Sequence, residues 1–255
     1  MTNHEKANSN QVWDMTAKHN ELGQPVGFAV PGWTPPPRPE RITLNGRYCR
    51  VEPLAPERHT HDLYSAIQQD VKGTSWTYLP YGPFDTLATY RDWLDDACRS
   101  DDVLFFALVD LSSGKPLGVA SYLRINSASG SIEVGHIHLS PLMQRRAMAT
   151  EAMFLLMQNA FALGYRRYEW KCDALNAASR AAAQRLGLSY EGTFRQATIY
   201  KGRNRDTAWY AAVDIEWPAL QEAITRWLHS DNFDAQGRQR ISLRDLTAPL
   251  LKQQG

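Results

Sequence analysis

The sequence predicts an α/β fold of the α+β kind, a mixed sheet flanked by helices, and three observations carry the prediction. Between residues 103 and 139, three strand-like runs are separated only by turn-forming stretches, Ser112-Ser113-Gly114-Lys115 and Asn126 to Gly130, which makes them successive hairpins. Beyond residue 140 the strands alternate with helices, and a strand–helix–strand unit implies at least one parallel crossover. The helix at residues 147–163 is apolar almost all round, so it must be covered on most sides.

Residues 1–40 form an arm, polar at first and then proline-rich (Trp33-Thr34-Pro35-Pro36-Pro37-Arg38-Pro39). Such a segment cannot run as a helix or a central strand. Trp13, Phe28 and Trp33 favour packing of part of it. The main domain spans 41–229 and begins with a strand at 48–52, ended by Leu54-Ala55-Pro56. A helix over 57–70 follows, with Leu63 and Ile67 on one face. An aromatic loop, Trp76 to Phe84, is broken by Pro80, Gly82 and Pro83. Asp85 is expected to cap the next helix, which carries Leu87, Tyr90, Trp93, Leu94 and Ala97.

Three strands come next, at 103–109, 117–125 and 131–139, the last ended by Ser140-Pro141. The apolar helix is closed by Gly164, where a helix often turns left-handed. Residues 167–173 alternate, with Tyr168, Trp170 and Cys172 on one face of a strand. Asn176 caps an alanine-rich helix that ends at Leu186-Gly187. Two strands, near 188–196 and 207–215, flank a polar loop. Pro218 suits the first turn of a last helix, which turns Leu220, Ile224, Trp227 and Leu228 to one face. Residues 230–255 read as a polar tail.

Composition narrows the function. The chain has 255 residues, 43% hydrophobic and 22% charged, the proportions of a globular protein with a buried core. Its net charge is +1 and it has no long basic run, so a dedicated DNA or RNA binder is not expected. No apolar run is long enough to span a membrane, and the polar N-terminus has no signal-peptide core. A cytoplasmic protein is expected. Cys49, Cys98 and Cys172 form no CxxC pair and are too few for a disulfide framework, so they read as buried small hydrophobes, and no metal is expected.

The stretch from Glu133 to Glu151 carries the chemistry. It reads strand, turn, helix, and the helix begins with no acid before Glu151. A helix start has backbone N–H groups without partners and a partial positive charge, so it binds phosphates. Arg145 and Arg146 add two charges there. Taken alone they also fit a plain surface turn. No GKS or GKT makes it a nucleotide P-loop, and no GxGxxG is present. A second signal is Asn176-Ala177-Ala178-Ser179 followed by Leu186-Gly187-Leu188, which alone is consistent with an ordinary helix cap.

Together these motifs resemble the GNAT superfamily of N-acetyltransferases, and within it the RimJ/RimL-like branch. The residues that carry the resemblance are Glu133-Val134-Gly135, Pro141, Gln144 through Ala152, Asn176 to Ser179, Leu186-Gly187-Leu188 and Glu191-Gly192. It covers residues 42–228. Two positions depart from the branch. Arg145 and Ala147 stand where its phosphate loop usually has glycines, and Ala183 stands where many superfamily members have a tyrosine acid.

The resemblance implies a mostly antiparallel sheet that splays open between the strands ending at Leu139 and Asp173. It implies acetyl-CoA as co-substrate, with its pantetheine along Ile137, His138 and Leu139. The pyrophosphate would rest on Gln144, Arg145, Arg146, Ala147, Met148, Ala149 and Thr150, and Asn176 and Ser179 would stand on the far side. Direct acyl transfer to an amine needs a base, because the amine is mostly protonated at pH 7. Glu133 is the first choice, with His136 and His138 as rivals on the same strand, pointing to the opposite face from Glu133. Ser179 would hydrogen-bond the leaving sulfur. The amine acceptor, a small molecule or a protein N-terminus, would lie over Trp76, Tyr78, Tyr81 and Phe84, although aromatics in a loop also simply cap a core. A homodimer is compatible with this reading. The alternative function is a non-catalytic acyl-CoA-binding regulator on the same fold.

Overall fold

A computed structural model describes residues 16–255, and Trp13 with the rest of the first fifteen residues lies outside the described residues. The chain divides into two compact units, one ending at Thr34 and the other beginning at Pro35. In the first unit, β1 (Lys18–His19) and β2 (Pro25–Val26) pair antiparallel. The Asn20 carboxamide oxygen closes their turn by accepting the N–H groups of Leu22 and Gln24 at 3.0 and 2.9 Å.

The second unit, Pro35–Gly255, is built on an eight-stranded sheet. In chain order its elements are β3 (Leu44–Asn45), β4 (Cys49–Pro53), α1 (Pro56–Ile67), α2 (Leu87–Arg99), β5 (Leu104–Asp110), β6 (Pro116–Asn126) and β7 (Ser131–Leu139). Then come α3 (Ala147–Ala162), β8 (Arg167–Asp173), α4 (Ala177–Arg185), β9 (Ser189–Tyr200), β10 (Arg203–Val213), α5 (Trp217–Leu228) and α6 (Leu243–Thr247). The strands lie in the order β3-β4-β5-β6-β7-β8-β10-β9. Only β7 and β8 run parallel, and α3 is the crossover that joins them.

Each face of the sheet is covered. On one, Ile132, Val134, Tyr122, Tyr168 and Trp170 bury against Leu156, Ala160 and other residues of α3, an almost wholly buried helix, as its all-round apolar sequence requires. On the other, Phe105, Ala107, Val109 and Val119 meet Leu63 and Ile67 of α1 and Tyr90 and Leu94 of α2. Glu151 ties α3 to the start of the sheet. It is buried, and its carboxylate accepts the N–H groups of Arg47, Tyr48 and Cys49 at 2.7, 2.6 and 2.8 Å. Gly46 precedes that turn because a side-chain carbon there would run into Glu151 and lie 2.9 Å from the Cys49 carbonyl oxygen.

Two sequence expectations are corrected. Thr86, not Asp85, caps α2, its hydroxyl accepting the Thr89 N–H at 3.2 Å. The polar loop at 201–206 is mostly strand: β9 and β10 join through the two-residue turn Lys201-Gly202, at φ 48° and 70°, the positive-φ pair of a tight hairpin. Residues 197–200, past the strand expected to end near 196, have no apolar alternation to announce one. Residues 230–255, the polar tail, carry further structure. Buried Asn232 closes the loop 233–240, its carboxamide donating to the Trp227 carbonyl at 3.0 Å and accepting the Ile241 N–H at 2.9 Å, and α6 follows.

Candidate active site

The parallel ladder between β7 and β8 is short. It pairs Ser131, Ile132, Glu133 and Val134 with Arg167, Tyr168, Glu169 and Trp170, and stops there. From Gly135 to Leu139, β7 stays paired with β6 while its other edge leaves β8. A cleft of about 2190 Å³ opens at this divergence, and every expected cofactor residue lines it: Ile137 to Leu139, Gln144 to Thr150, Asn176 and Ser179. Arg and Lys supply eight of its lining side chains, Asp and Glu only three, so the cleft suits an anionic ligand.

The start of α3 forms one wall. Its first turn has no acid and no side chain caps it. Arg145 takes a left-handed φ of 59°, the conformation that glycine adopts most readily, and Ala147 is the first helical residue, where a methyl group is no obstacle. Arg146 reaches Asp110 at 3.5 Å and the Leu142 carbonyl at 3.2 Å. On the opposite wall Asn176 caps α4, its Oδ1 accepting the Ser179 N–H at 3.1 Å. The Trp170 indole N–H donates to Ser179 Oγ at 2.9 Å. An indole nitrogen only donates, so the Ser179 hydroxyl keeps its own proton for another acceptor.

Glu133 faces the cleft and is almost inaccessible to solvent. Arg124 Nη1 donates to its Oε1 at 2.7 Å, and Lys171 Nζ makes an ion contact with its Oε2 at 2.8 Å. Lys171 also contacts Glu169 at 2.8 Å and stands 3.7 Å over the Trp209 ring. Period-two alternation places Lys171, with Arg167 and Glu169, on the face opposite Tyr168, Trp170 and Cys172. Neither it nor Arg124 nor Trp209 stood out in the sequence, because their partners come from other strands.

The two histidines do not lie opposite Glu133. Residue 136 sits at φ 50°, and the β6–β7 register slips between Val119↔His138 and Ser121↔Gly135, the mark of a one-residue bulge. The bulge turns His136 to the side of Glu133, and His138 follows. His136 packs against Phe105 and Tyr81, its Nδ1 3.0 Å from the Tyr81 hydroxyl. Burial, helped by the charge of Arg124, pushes its pKa down to about 4. His138 stacks on Trp76 at 3.7 Å, and its Nε2 lies 2.8 Å from Ser75 Oγ. Ser75 donates to Asp70 at 2.6 Å, so its oxygen accepts from His138 Nε2–H, and the imidazole keeps an unprotonated Nδ1. Burial holds His138 at about 4, against the pull of Asp70.

The four aromatics expected to meet the acceptor are divided. Tyr78 lines the cleft and donates its hydroxyl to the Leu175 carbonyl at 3.2 Å. Trp76, Tyr81 and Phe84 form a cluster beneath the site with Trp93, rings 4.5 to 6.5 Å apart. Trp76 stacks on His138 and Tyr81 on His136. The β9–β10 hairpin approaches from the far side: Lys201 Nζ donates to the Trp76 carbonyl at 2.8 Å, and Phe194, Tyr200, Arg205 and Trp209 line that part of the cleft.

A model of the acetyltransferase (GNAT) domain matches residues 50–189, over half of the chain. The chain belongs to the GNAT acetyltransferase family. The GNAT domain is similar to solved structures along nearly its whole length. A GCN5-related N-acetyltransferase from Brucella melitensis is 47% identical, with 86% of this chain and 100% of that one covered and a TM-score of 0.84. A probable GNAT-family acetyltransferase from Chromobacterium violaceum is 39% identical, with 77% and 98% covered and a TM-score of 0.72. The microcin C7 self-immunity acetyltransferase MccE, solved with acetyl-CoA and AMP, shares the fold at 22% identity, 66% and 93% coverage and a TM-score of 0.58. No curated protein sequence matches the chain. The GNAT protein is an acetyl-CoA-dependent N-acetyltransferase, and its cleft fits that co-substrate through a free β7 edge, an acid-free helix start and an excess of cations. Among the described residues, no helix is long and apolar enough to cross a membrane.

Proposed function

We propose that this protein transfers the acetyl group of acetyl-CoA directly to a primary amine, on a small molecule or a protein N-terminus, as in the RimJ/RimL-like branch. The observation that carries the reading is the divergence of β7 from β8 at Val134, which leaves a strand edge beside the acid-free start of α3. An extended pantetheine can pair with such an edge as an added strand does. The amides and side chains of residues 144–150 hold the phosphates, and Asn176 flanks the pantetheine.

Glu133 takes a proton from the acceptor's ammonium, through a water molecule, and the neutral amine then attacks the thioester carbon. The new C–N bond forms and the thioester C–S bond breaks; the thiolate of coenzyme A takes up the excess proton that the nitrogen sheds and leaves as its thiol. Arg124 and Lys171 orient the Glu133 carboxylate, each on one oxygen, while the remaining lone pairs are available to the water. Ser179, with its proton unspent on Trp170, donates to the departing sulfur. Tyr78 and the β9–β10 hairpin, with Phe194 and Trp209 stacked at 4.5 Å, border the acceptor. The three free thiols, Cys49, Cys98 and Cys172, suit a reducing cytoplasm.

Thiol release from acetyl-CoA across a panel of amines tests the reading. Amine-dependent release is expected. Binding of acetyl-CoA with no release for any amine or N-terminal peptide would favour the non-catalytic regulator.

A further inference from the structure

Among the described residues, Arg185 at the cofactor cleft has no carboxylate paired with its charge. Arg185 is the last residue of α4 and is partly buried. Its Nη1 donates to Thr150 Oγ1 at 3.0 Å, in the first turn of α3. Arg146 reaches Asp110, and Arg124 reaches Glu133, but among the described residues no carboxylate pairs with Arg185, and burial alone lowers its pKa. A guanidinium stays charged in proteins, and withdrawing one from water without a partner is costly. Its fork of N–H donors suits phosphate oxygens.

The C-terminal segment holds this arginine in place. Thr247 of α6 shares its single hydroxyl proton between the Arg185 and Leu243 carbonyls, each 3.0 Å away. The loop closed by Asn232 continues the same wall with Phe233, Gln236 and Arg238.

We propose that Arg185 binds a phosphate of acetyl-CoA, and that α6 positions it through Thr247. The proposal rests on acetyl-CoA being the donor, and its test separates the two. Wild-type protein and Arg185→Met are titrated calorimetrically with acetyl-CoA, acetyl-dephospho-CoA and acetyl-pantetheine, and the melting temperature of the ligand-free proteins is measured. Arg185→Met should lose about ten- to a hundredfold in acetyl-CoA affinity, the worth of one charge-assisted contact. Its affinity for acetyl-pantetheine and its turnover of that fragment should equal wild type, and its melting temperature should hold or rise, because an unanswered charge has gone. A loss that persists with acetyl-dephospho-CoA assigns the pyrophosphate; a loss that vanishes assigns the 3′-phosphate. Unchanged acetyl-CoA affinity, an equal loss for acetyl-pantetheine, or a lowered melting temperature that accounts for the loss would overturn the role of Arg185. Arg185→Gln, which keeps a donor for Thr150, repeats the measurement if the methionine variant does not fold. Thr247→Val should weaken acetyl-CoA several-fold and spare acetyl-pantetheine; equal affinity for both donors would remove α6 from the proposal.

Discussion

Glu133 and Lys171 meet at 2.8 Å across the point where the sheet opens, with only 4% and 8% of their side chains exposed. They come from the two parallel strands, so their contact joins the edges that bound the cleft. The pair gives Glu133 both a position and a structural duty, and variants can separate the two.

Glu133→Gln should lower kcat by about 10²–10⁴-fold at pH 7, the share expected of general-base catalysis, and leave acetyl-CoA affinity unchanged. The defect should shrink as pH rises and more of the acceptor amine is already neutral. Steady-state kinetics from pH 6 to 9, with folding checked by circular dichroism, decide it. Near-normal turnover in a folded variant would pass the role to His136, His138 or solvent.

Lys171→Met should destabilise the fold by roughly 3–5 kcal/mol, because it leaves Glu133 and Glu169 buried with one cation fewer. Urea unfolding measures it. A loss below about 1 kcal/mol would show that Arg124 and Arg167 suffice for both acids.

Removing the Glu151 carboxylate strands three amide N–H groups in the turn that starts β4. Glu151→Ala should therefore lower stability by about 3 kcal/mol or more. Acetyl-CoA affinity should fall with it, since Glu151 lies beside Thr150 in α3. A stability loss under about 1 kcal/mol would mean that solvent satisfies the turn.

His136 and His138 both titrate near 4 in the folded protein, below the ordinary histidine value of about 6.5. A depressed histidine binds its proton more readily when unfolded. Its stabilising contribution is thus full above pH 6.5 and lost as pH falls from 6.5 toward 4, on the order of 1–3 kcal/mol each. Unfolding free energies at pH 7.5 and 5 should differ less in His136→Phe than in wild type. An identical difference in both would show that His136 is not the group that senses acid.

Arg145 holds φ 59°, and a left-handed conformation costs a residue other than glycine about 1 kcal/mol. Arg145→Gly should raise the melting temperature of the ligand-free protein and weaken acetyl-CoA, since it relieves the backbone and removes a charge from the phosphate wall. Unchanged affinity would place the Arg145 side chain outside the phosphate contacts.

Much of this protein was legible without its tertiary structure. Turn residues between residues 103 and 139 dictated hairpins, the all-round apolar 147–163 segment dictated a covered helix, and Asn176 and Gly164 marked helix ends, because these effects act over a few neighbouring residues. The motifs from Glu133 to Glu151 and at Asn176 pointed to the acetyl-CoA cleft for the same reason: each is a short local device at a strand or helix end. What tertiary structure decided was every relation between distant residues. The bulge at His136 reversed the face predicted by strict alternation, since a bulge is stabilised by its partner strand and leaves no trace in periodicity. Lys171, Arg124 and Arg185 acquired meaning only when other strands and helices brought, or withheld, a carboxylate. Residues 197–200 became a strand because β10 pairs with them, and residues 230–255, polar in sequence, folded because Asn232 satisfies backbone groups of its own loop and Thr247 one far along the chain.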